Sequence, residues 1–153
     1  MNVGMGLDGD DGMKQTYPAL IRQAFLAREM AYAPYSGFMV GAALLTGEGG
    51  VYLGCNIENA AYGPTNCAER TAFFKAVSEG RRQFAAIAVV GGMKDTGAGG
   101  FDYVFPCGVC RQVMAEFCGG DFVILAARSP DEYKIYTLGD LLPEAFGPEI
   151  GKA

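Results

Sequence analysis

The sequence predicts an α/β fold in which helices cover both faces of a mixed five-stranded sheet. Two apolar runs, Phe38–Thr46 and Val51–Ile57, are separated by a Gly-Glu-Gly-Gly turn and therefore predict an antiparallel hairpin. Strand-like and helical segments alternate after the hairpin, which is typical of parallel strands joined by helices. A sheet that combines both kinds of connection is mixed.

The remaining elements follow from local patterns. Apolar residues recur at helical spacing over Gln15–Tyr32, and Pro34 is expected to end that helix. The expected order downstream is a helix Cys67–Glu79, a strand Phe84–Val90, a glycine-rich loop Gly91–Gly100, a helix Pro106–Cys118 with the proline in its first turn, a strand Phe122–Ala127, a weaker strand Tyr133–Tyr136 and a short helix Leu138–Leu142. Residues 1–13 are rich in glycine and aspartate and lack periodicity, so we expect a disordered tail before a single domain over residues 14–150.

Charge and hydropathy narrow the possible functions. A nucleic-acid-binding surface needs clustered cations, whereas this chain has a net charge of -5 and only a short Arg81-Arg82 pair. No apolar run reaches the roughly 20 residues that cross a bilayer. The first residues also lack the basic and then apolar pattern of a signal peptide. These features predict a cytoplasmic protein that binds neither nucleic acid nor membranes.

The chain has five cysteines and no histidine, so any metal chemistry must use thiolates and carboxylates. Cys107 and Cys110 lie three residues apart at a predicted helix start, which turns both sulfurs to the same side. Cys67 begins another predicted helix, and a helix N-terminus favours the thiolate that a metal needs. Three thiolates predict a zinc site with one open position, which is typical of catalytic zinc.

The other two cysteines are not expected to bind the metal. Cys118 lies two helical turns, or about 12 Å, beyond Cys110. Cys55 lies within a predicted strand and is expected to be a small core residue. If Cys55 were instead a fourth ligand, the protein would be a zinc-binding interaction module. A thiol redox protein that uses Cys107 and Cys110 is a further alternative.

Two residues next to Cys67 are candidates for the chemistry of the site. Glu69 follows Cys67 by two positions, and a carboxylate beside a metal-bound water can take a proton from it and deliver the proton later. Three thiolates on a dication leave a net negative charge. Arg70 is expected to offset that charge by donating hydrogen bonds to the sulfurs.

The two cysteine segments, Asn66–Arg70 and Pro106–Gln112, resemble those of the cytidine deaminase family, in its small homotetrameric branch with an all-cysteine zinc site. Three further segments are similar to that family, namely Tyr32–Phe38, Gly54–Tyr62 and Leu141–Phe146. The resemblance covers residues 15–146. It implies a three-layer deaminase fold and hydrolytic deamination of cytidine or deoxycytidine by zinc-bound hydroxide, in pyrimidine salvage.

The resemblance also implies a role for each matching residue. Cys67, Cys107 and Cys110 would bind zinc, and Glu69 would carry protons to N3 of the base and to the leaving ammonia. The implied substrate contacts are the base edge for Ala68 and Glu69, the ribose for Asn56 and Glu58 within a segment that includes Ala60, and base stacking for Phe38. Tyr62 and Phe146 would complete the site of a neighbouring subunit, so the functional unit would be a homotetramer.

Three departures from the family lie near the expected pocket. Phe105 stands where the family has a small residue, the loop Gly91–Tyr103 is longer, and Gly63-Pro64-Thr65 is an unusual approach to Cys67. They bear on substrate preference more than on reaction type, and a modified cytosine nucleoside or a cytosine-bearing antibiotic is the alternative substrate. A nucleic-acid-editing deaminase would share the zinc chemistry, but it needs a basic channel that the acidic charge disfavours.

Overall fold

The computed structural model describes residues 7–149, with side chains from Thr16 onward. Its elements are α1 (Leu7–Arg28), β1 (Phe38–Thr46), β2 (Val51–Cys55), α2 (Ala68–Ser78), β3 (Phe84–Met93), α3 (Gly108–Phe117), β4 (Val123–Ser129), β5 (Glu132–Thr137) and α4 (Leu138–Leu141). Among these residues, no helix combines the length and the apolar character that a membrane crossing requires.

The five strands form one sheet in the order β2-β1-β3-β4-β5. β1 pairs antiparallel with both β2 and β3, β3 pairs parallel with β4, and β5 pairs antiparallel with β4. The parallel pair is joined by a connection that contains α3, as a parallel crossover requires. The predicted mixed five-stranded sheet is therefore confirmed.

Apolar cores lie on both faces of the sheet. On one face, Ile21 and Ala24 of α1 pack with Ala43 of β1 and its neighbours. On the other face, the helices α2 and α3 pack with Ala42 of β1 and with the opposite side of β3. Successive strand residues point to opposite faces, so strands covered on both sides are apolar throughout. The predicted helices on both faces are confirmed.

Two glycines allow the helices to approach the sheet closely. A Cβ atom at Gly41 would overlap the carbonyl oxygen of Ala24 in α1, and one at Gly54 would overlap the carbonyl oxygen of Ala68 in α2. Gly54 therefore sets how close the first turn of α2 lies to β2.

The first helix differs from the prediction at both ends. α1 begins at Leu7 rather than Gln15, so residues 7–13 are helical and not part of a disordered tail. Residues 1–6 of the predicted tail lie outside the described residues. Adding turns to an existing helix costs far less than nucleating one, which explains an extension without apolar periodicity. At the other end, α1 stops at Arg28 rather than Tyr32, because the amide of Tyr32 donates to the carbonyl of Asn56 instead.

Two other boundaries differ for physical reasons. β2 ends at Cys55 rather than Ile57, because Ile57 pairs with Tyr32 and Asn66 instead of continuing along β1. β3 continues through the first three residues of the predicted glycine loop, and Gly92 pairs with Met39 of β1. A Cβ atom at Gly92 would lie 2.9 Å from the ring of Phe101, so the glycine makes room for a packed side chain.

Helix α3 also starts later than predicted. Cys107 is its N-cap residue and Gly108 its first helical residue, so Pro106 precedes the helix and does not lie in its first turn. The carbonyl of Pro106 instead accepts a 2.7 Å hydrogen bond from Nε of Arg111. The remaining elements lie within two residues of their predicted bounds.

Candidate active site

The start of β1, the ends of β2 and β3, and the starts of α2 and α3 lie together at one end of the sheet. β1 runs antiparallel to β2 and β3, so the start of β1 lies beside the ends of both neighbours. α2 follows β2 along the chain and α3 follows β3, and both helices begin at this end of the sheet. Their N-cap residues are Cys67 and Cys107.

Three thiols cluster where the two helices begin. The Sγ atoms of Cys67, Cys107 and Cys110 lie within 4.8 Å of one another, and those of Cys67 and Cys107 are 3.8 Å apart. Two thiolates bound to one tetrahedral zinc ion at about 2.3 Å lie about 3.8 Å apart. The donor set and its spacing therefore fit zinc. No second group of this kind occurs in the part of the chain that the structure describes.

The remaining cysteines lie outside the cluster. Cys118 is the C-cap residue of α3, and burial raises the pKa of its thiol to about 12. Cys55 ends β2 and faces a groove with Leu26, Met30 and Lys75. Three protein ligands leave one coordination position for water or substrate, whereas a structural site is usually closed by four.

Arg70 supplies positive charge to the thiol cluster. Its Nη2 donates a hydrogen bond of 3.3 Å to Sγ of Cys67. The hydrogen bond with Cys110, together with those from Arg70 and Cys107, lowers the pKa of Cys67 to about 5. Cys67 is thus the first thiol of the pair with Cys110 to become a thiolate, which is the form that binds a metal.

Glu69 lies in the first turn of α2 and is 4% exposed. Burial raises the pKa of its carboxyl group to about 7. A carboxyl group with a pKa near neutrality can both accept and release a proton at physiological pH, which is what general acid–base catalysis requires.

A cavity of about 200 Å³ opens beside the cluster. Its wall consists of Val40, Asn56, Thr65, Asn66, Cys67, Ala68, Glu69, Val104, Phe105 and Cys107. Cavities of about 390 and 570 Å³ lie elsewhere on the protein, but neither contains a cluster thiol or Glu69. The convergence of thiols and a buried carboxyl group, rather than size, identifies the smaller cavity as the candidate site.

Of the predicted ribose- and base-binding residues, Asn56 lines this cavity, whereas Glu58 and Phe38 are not among its lining residues. The side chain of Asn56 accepts from the amide of Val40 at 2.9 Å and donates to the carbonyl of Phe38 at 2.8 Å. The Glu58 carboxylate accepts hydrogen bonds from the segment just before β1. A Cβ atom at Gly91 would lie near both the Phe38 ring and Val40, so that ring borders the cavity wall.

The other predicted contacts lie away from the cavity of their own chain. Ala60 and Tyr62 are exposed in the connection between β2 and α2, where the Tyr62 ring lies 6.1 Å from that of Tyr35. Phe146 is 68% exposed beyond α4, and its carbonyl accepts from Nε2 of Gln112. Neither aromatic side chain is buried in the core.

Several residues at the site had no predicted role. Val40, Thr65 and Val104 line the cavity, and Ser36 connects Glu58 to β1. Ser36 offers a local signal, since a serine hydroxyl can hydrogen-bond the backbone two residues along the chain. The cavity-lining positions carry no such signal, because their roles depend on contacts between distant segments.

Comparison with known proteins relates this site to a family. Residues 14–126 match the family described as the cytidine and deoxycytidylate deaminase zinc-binding region. A cytidine deaminase of Sporosarcina psychrophila is 52% identical over 130 residues, which cover 85% of this chain and 90% of the relative. A cytidine deaminase of Halalkalibacterium halodurans is 54% identical over 130 residues, covering 85% of this chain and 93% of that relative.

Solved structures agree with the sequence comparisons. The crystal structure of cytidine deaminase from Burkholderia pseudomallei superposes with a TM-score of 0.75 at 50% identity, covering 84% of this chain and 97% of that one. The enzyme from Mycobacterium tuberculosis superposes with a TM-score of 0.70 at 41% identity, covering 84% and 95% of the two chains. With its three-thiol cluster, its buried Glu69 and these matches, the chain belongs to the cytidine and deoxycytidylate deaminase family.

Proposed function

We propose that this protein hydrolytically deaminates cytidine and deoxycytidine to uridine and deoxyuridine. The observation that carries the proposal is the position of Glu69. Its buried carboxyl group lines the same small cavity as Cys67 and Cys107, two of the three clustered thiols. The names of the relatives, cytidine deaminases at 52% and 54% identity, support cytidine as the substrate.

Zinc is the cofactor that this site fits, and Cys67, Cys107 and Cys110 are the residues that would hold it. When bound, zinc lowers the pKa of water and supplies a nucleophile at neutral pH. Arg70 offsets the charge of the three sulfurs through its hydrogen bond to Cys67.

Glu69 performs the proton transfers of the proposed reaction. Water adds to C4 of the cytosine ring, and its proton passes through the Glu69 carboxylate to N3. The Glu69 carboxylate then accepts the second proton and delivers it to the exocyclic amine, so that the C4–N4 bond breaks and ammonia leaves. One water is consumed and one ammonia is released. A carboxyl group with a pKa of about 7 is suited to both roles.

In this proposal, the nucleoside is bound by cavity-lining residues together with Phe38 and Glu58. The Ala68 backbone and Glu69 recognise the edge of the base, and the Phe38 ring stacks on it. Asn56 and Glu58 hold the ribose hydroxyls, within a segment that also contains Ala60. Asn56 is already held by hydrogen bonds to β1, and Glu58 by hydrogen bonds to the segment just before it, which reduces the entropy lost on binding.

The active assembly in this proposal is a homotetramer. Tyr62 and Phe146 are 74% and 68% exposed in the isolated chain. Large aromatic side chains with such exposure are typical of protein interfaces. We infer that each completes the site of a neighbouring subunit, as the family resemblance implies.

The cellular role that fits this activity is pyrimidine salvage in the cytoplasm. A free nucleoside substrate is favoured over a nucleic acid because the net charge is -5. A polynucleotide strand would need a basic channel along the protein.

A substrate panel tests the proposal directly. Cytidine, deoxycytidine, cytosine and a cytosine-containing oligonucleotide are incubated with the protein, and the loss of absorbance at about 280 nm is followed. Zinc content is measured on the same sample. Turnover of the two nucleosides with one zinc per chain supports the proposal. A stoichiometric zinc content without turnover of any compound refutes it in favour of a non-catalytic zinc module.

A further inference from the structure

Phe105 contributes an aromatic wall to the cavity beside the thiol cluster. It lies two residues before Cys107 and lines the same cavity as Glu69. The residue before a proline is restricted to extended backbone, and Phe105 precedes the buried Pro106. The backbone that carries the ring is therefore held close to the metal ligands.

The Phe105 ring packs against the ring of Tyr136 in β5. The two ring centroids are 5.6 Å apart with an interplanar angle of 78°, an edge-to-face contact. Tyr136 in turn packs against the apolar core between the sheet and the helices α2 and α3. The ring of Phe105 remains 40% exposed, so one part of it is anchored and another part is open. A bulky ligand that displaced the Phe105 ring would have to break its contact with Tyr136.

The chemistry of the pyrimidine ring indicates which substituent meets this wall, if the proposed function holds. C4 must lie at the thiol cluster, and N3 must lie at the Glu69 carboxyl group. N3 and C5 flank C4 on opposite sides, so C5 points away from Glu69 and from α2. The lining residues that do not belong to α2 or its N-cap include Val40, Val104 and Phe105.

We propose that Phe105 is a specificity-determining residue that limits the size of the substituent at C5 of the cytosine base. Hydrogen at C5 fits, and a large substituent meets the anchored ring. This inference rests on the proposed function and deepens it, since it names the class of cytosine nucleosides that the site rejects.

The test compares cytidine, 5-methylcytidine and 5-iodocytidine as substrates of the wild-type protein, of Phe105→Ala and of Phe105→Leu. For the wild type, kcat/KM falls by at least about tenfold from cytidine to 5-iodocytidine, as for a rigid pocket that excludes a bulky group. For Phe105→Ala the same ratio stays within about threefold. Phe105→Leu preserves apolar packing at this position and gives an intermediate ratio if the alanine variant does not fold.

Tyr136→Phe is the matched control, because it keeps the supporting ring and removes only a hydroxyl group. Its selectivity profile follows the wild type. Active Phe105 variants with the wild-type ratio of cytidine to 5-iodocytidine would overturn this inference alone. A wild-type protein that deaminates no cytosine nucleoside would refute the proposed function, and this inference with it.

Discussion

The hydroxyl group of Ser36 donates a 2.6 Å hydrogen bond to Oε2 of Glu58 and accepts a 3.0 Å hydrogen bond from the backbone amide of Phe38. The other carboxylate oxygen of Glu58 accepts from the backbone amides of Tyr35 and Ser36, at 2.9 and 3.1 Å. The hydrogen bond from the Ser36 side chain lowers the pKa of Glu58, so the carboxylate stays ionised. One hydroxyl group thus joins the proposed base-stacking residue to a proposed ribose-binding residue.

We expect Ser36→Ala to raise KM for cytidine about tenfold while kcat changes less, because the carboxylate loses a charge-assisted hydrogen bond and its orientation. Steady-state kinetics on cytidine measures both parameters. Ser78→Ala is the control, since the Ser78 hydroxyl donates to the carbonyl of Lys75 and has no hydrogen bond to Glu58 in the described part of the chain. An unchanged KM for Ser36→Ala would show that Glu58 is positioned without Ser36 or does not hold the substrate.

Arg70→Gln should weaken zinc binding or activity by about 10- to 100-fold, the usual effect of removing a partner of a metal ligand. The physical reason is the lost 3.3 Å hydrogen bond from Arg70 to Cys67 and the lost positive charge beside three thiolates. Competition against a chromogenic chelator measures the affinity. Arg82→Gln serves as the control, because Arg82 donates to the backbone carbonyls of Val77 and Arg81 and, among the described residues, has no hydrogen bond to the thiol cluster. Equal zinc affinity and equal turnover in both variants would contradict the role of Arg70.

Cys110→Ser should lose the stoichiometric zinc that Cys118→Ala retains. Cys110 belongs to the three-thiol cluster, whereas Cys118 caps α3 away from it. Metal analysis after gel filtration gives the zinc content per chain, and circular dichroism checks that each variant is folded. Loss of zinc from the folded Cys118→Ala protein would mean that the ligand set is assigned incorrectly.

Gly54→Ala should destabilise the protein by about 3 kcal/mol, at the upper end for overpacking, because the new methyl group overlaps backbone atoms of α2 at Ala68 and Ala72. The displaced first turn of α2 carries Glu69, so activity should fall as well. Gly97→Ala is the matched control, since no atom of the residues that the structure describes lies within 4 Å of a Cβ atom there. Denaturant unfolding measures the difference, and equal midpoints for the two variants would show that α2 adapts without cost.

Local patterns predicted most of the fold. β1 was predicted with its observed bounds, because its apolar run and the turn after it are both local signals. The prediction that β3 ends at Val90 was wrong, because Gly91 and Gly92 were assigned to a loop. Glycine occurs in loops but also on strands where a side chain packs closely against the backbone. Here the ring of Phe101 packs over Gly92 and the residues stay in β3, a contact that local patterns do not reveal.

Local sequence patterns likewise predicted one part of the candidate site and not the other. The spacing of Cys107 and Cys110 was sufficient to predict sulfurs on one side of a helix start, and the structure confirms their proximity. The hydrogen bond between Ser36 and Glu58 joins residues 22 positions apart, and no periodicity indicates it. The proposed contributions of Tyr62 and Phe146 depend on a second chain and stay predictions.

In the proposed reaction, Glu69 carries protons beside a zinc ion held by three thiolates. The most direct measurement is cytidine turnover by Glu69→Gln, with zinc content determined on the same preparation. The amide keeps the shape of the side chain but cannot shuttle a proton. We expect one zinc per chain and a loss of at least about 100-fold in kcat, the scale of general acid–base catalysis. A zinc-loaded Glu69→Gln protein that deaminates cytidine at the wild-type rate would contradict this role of Glu69.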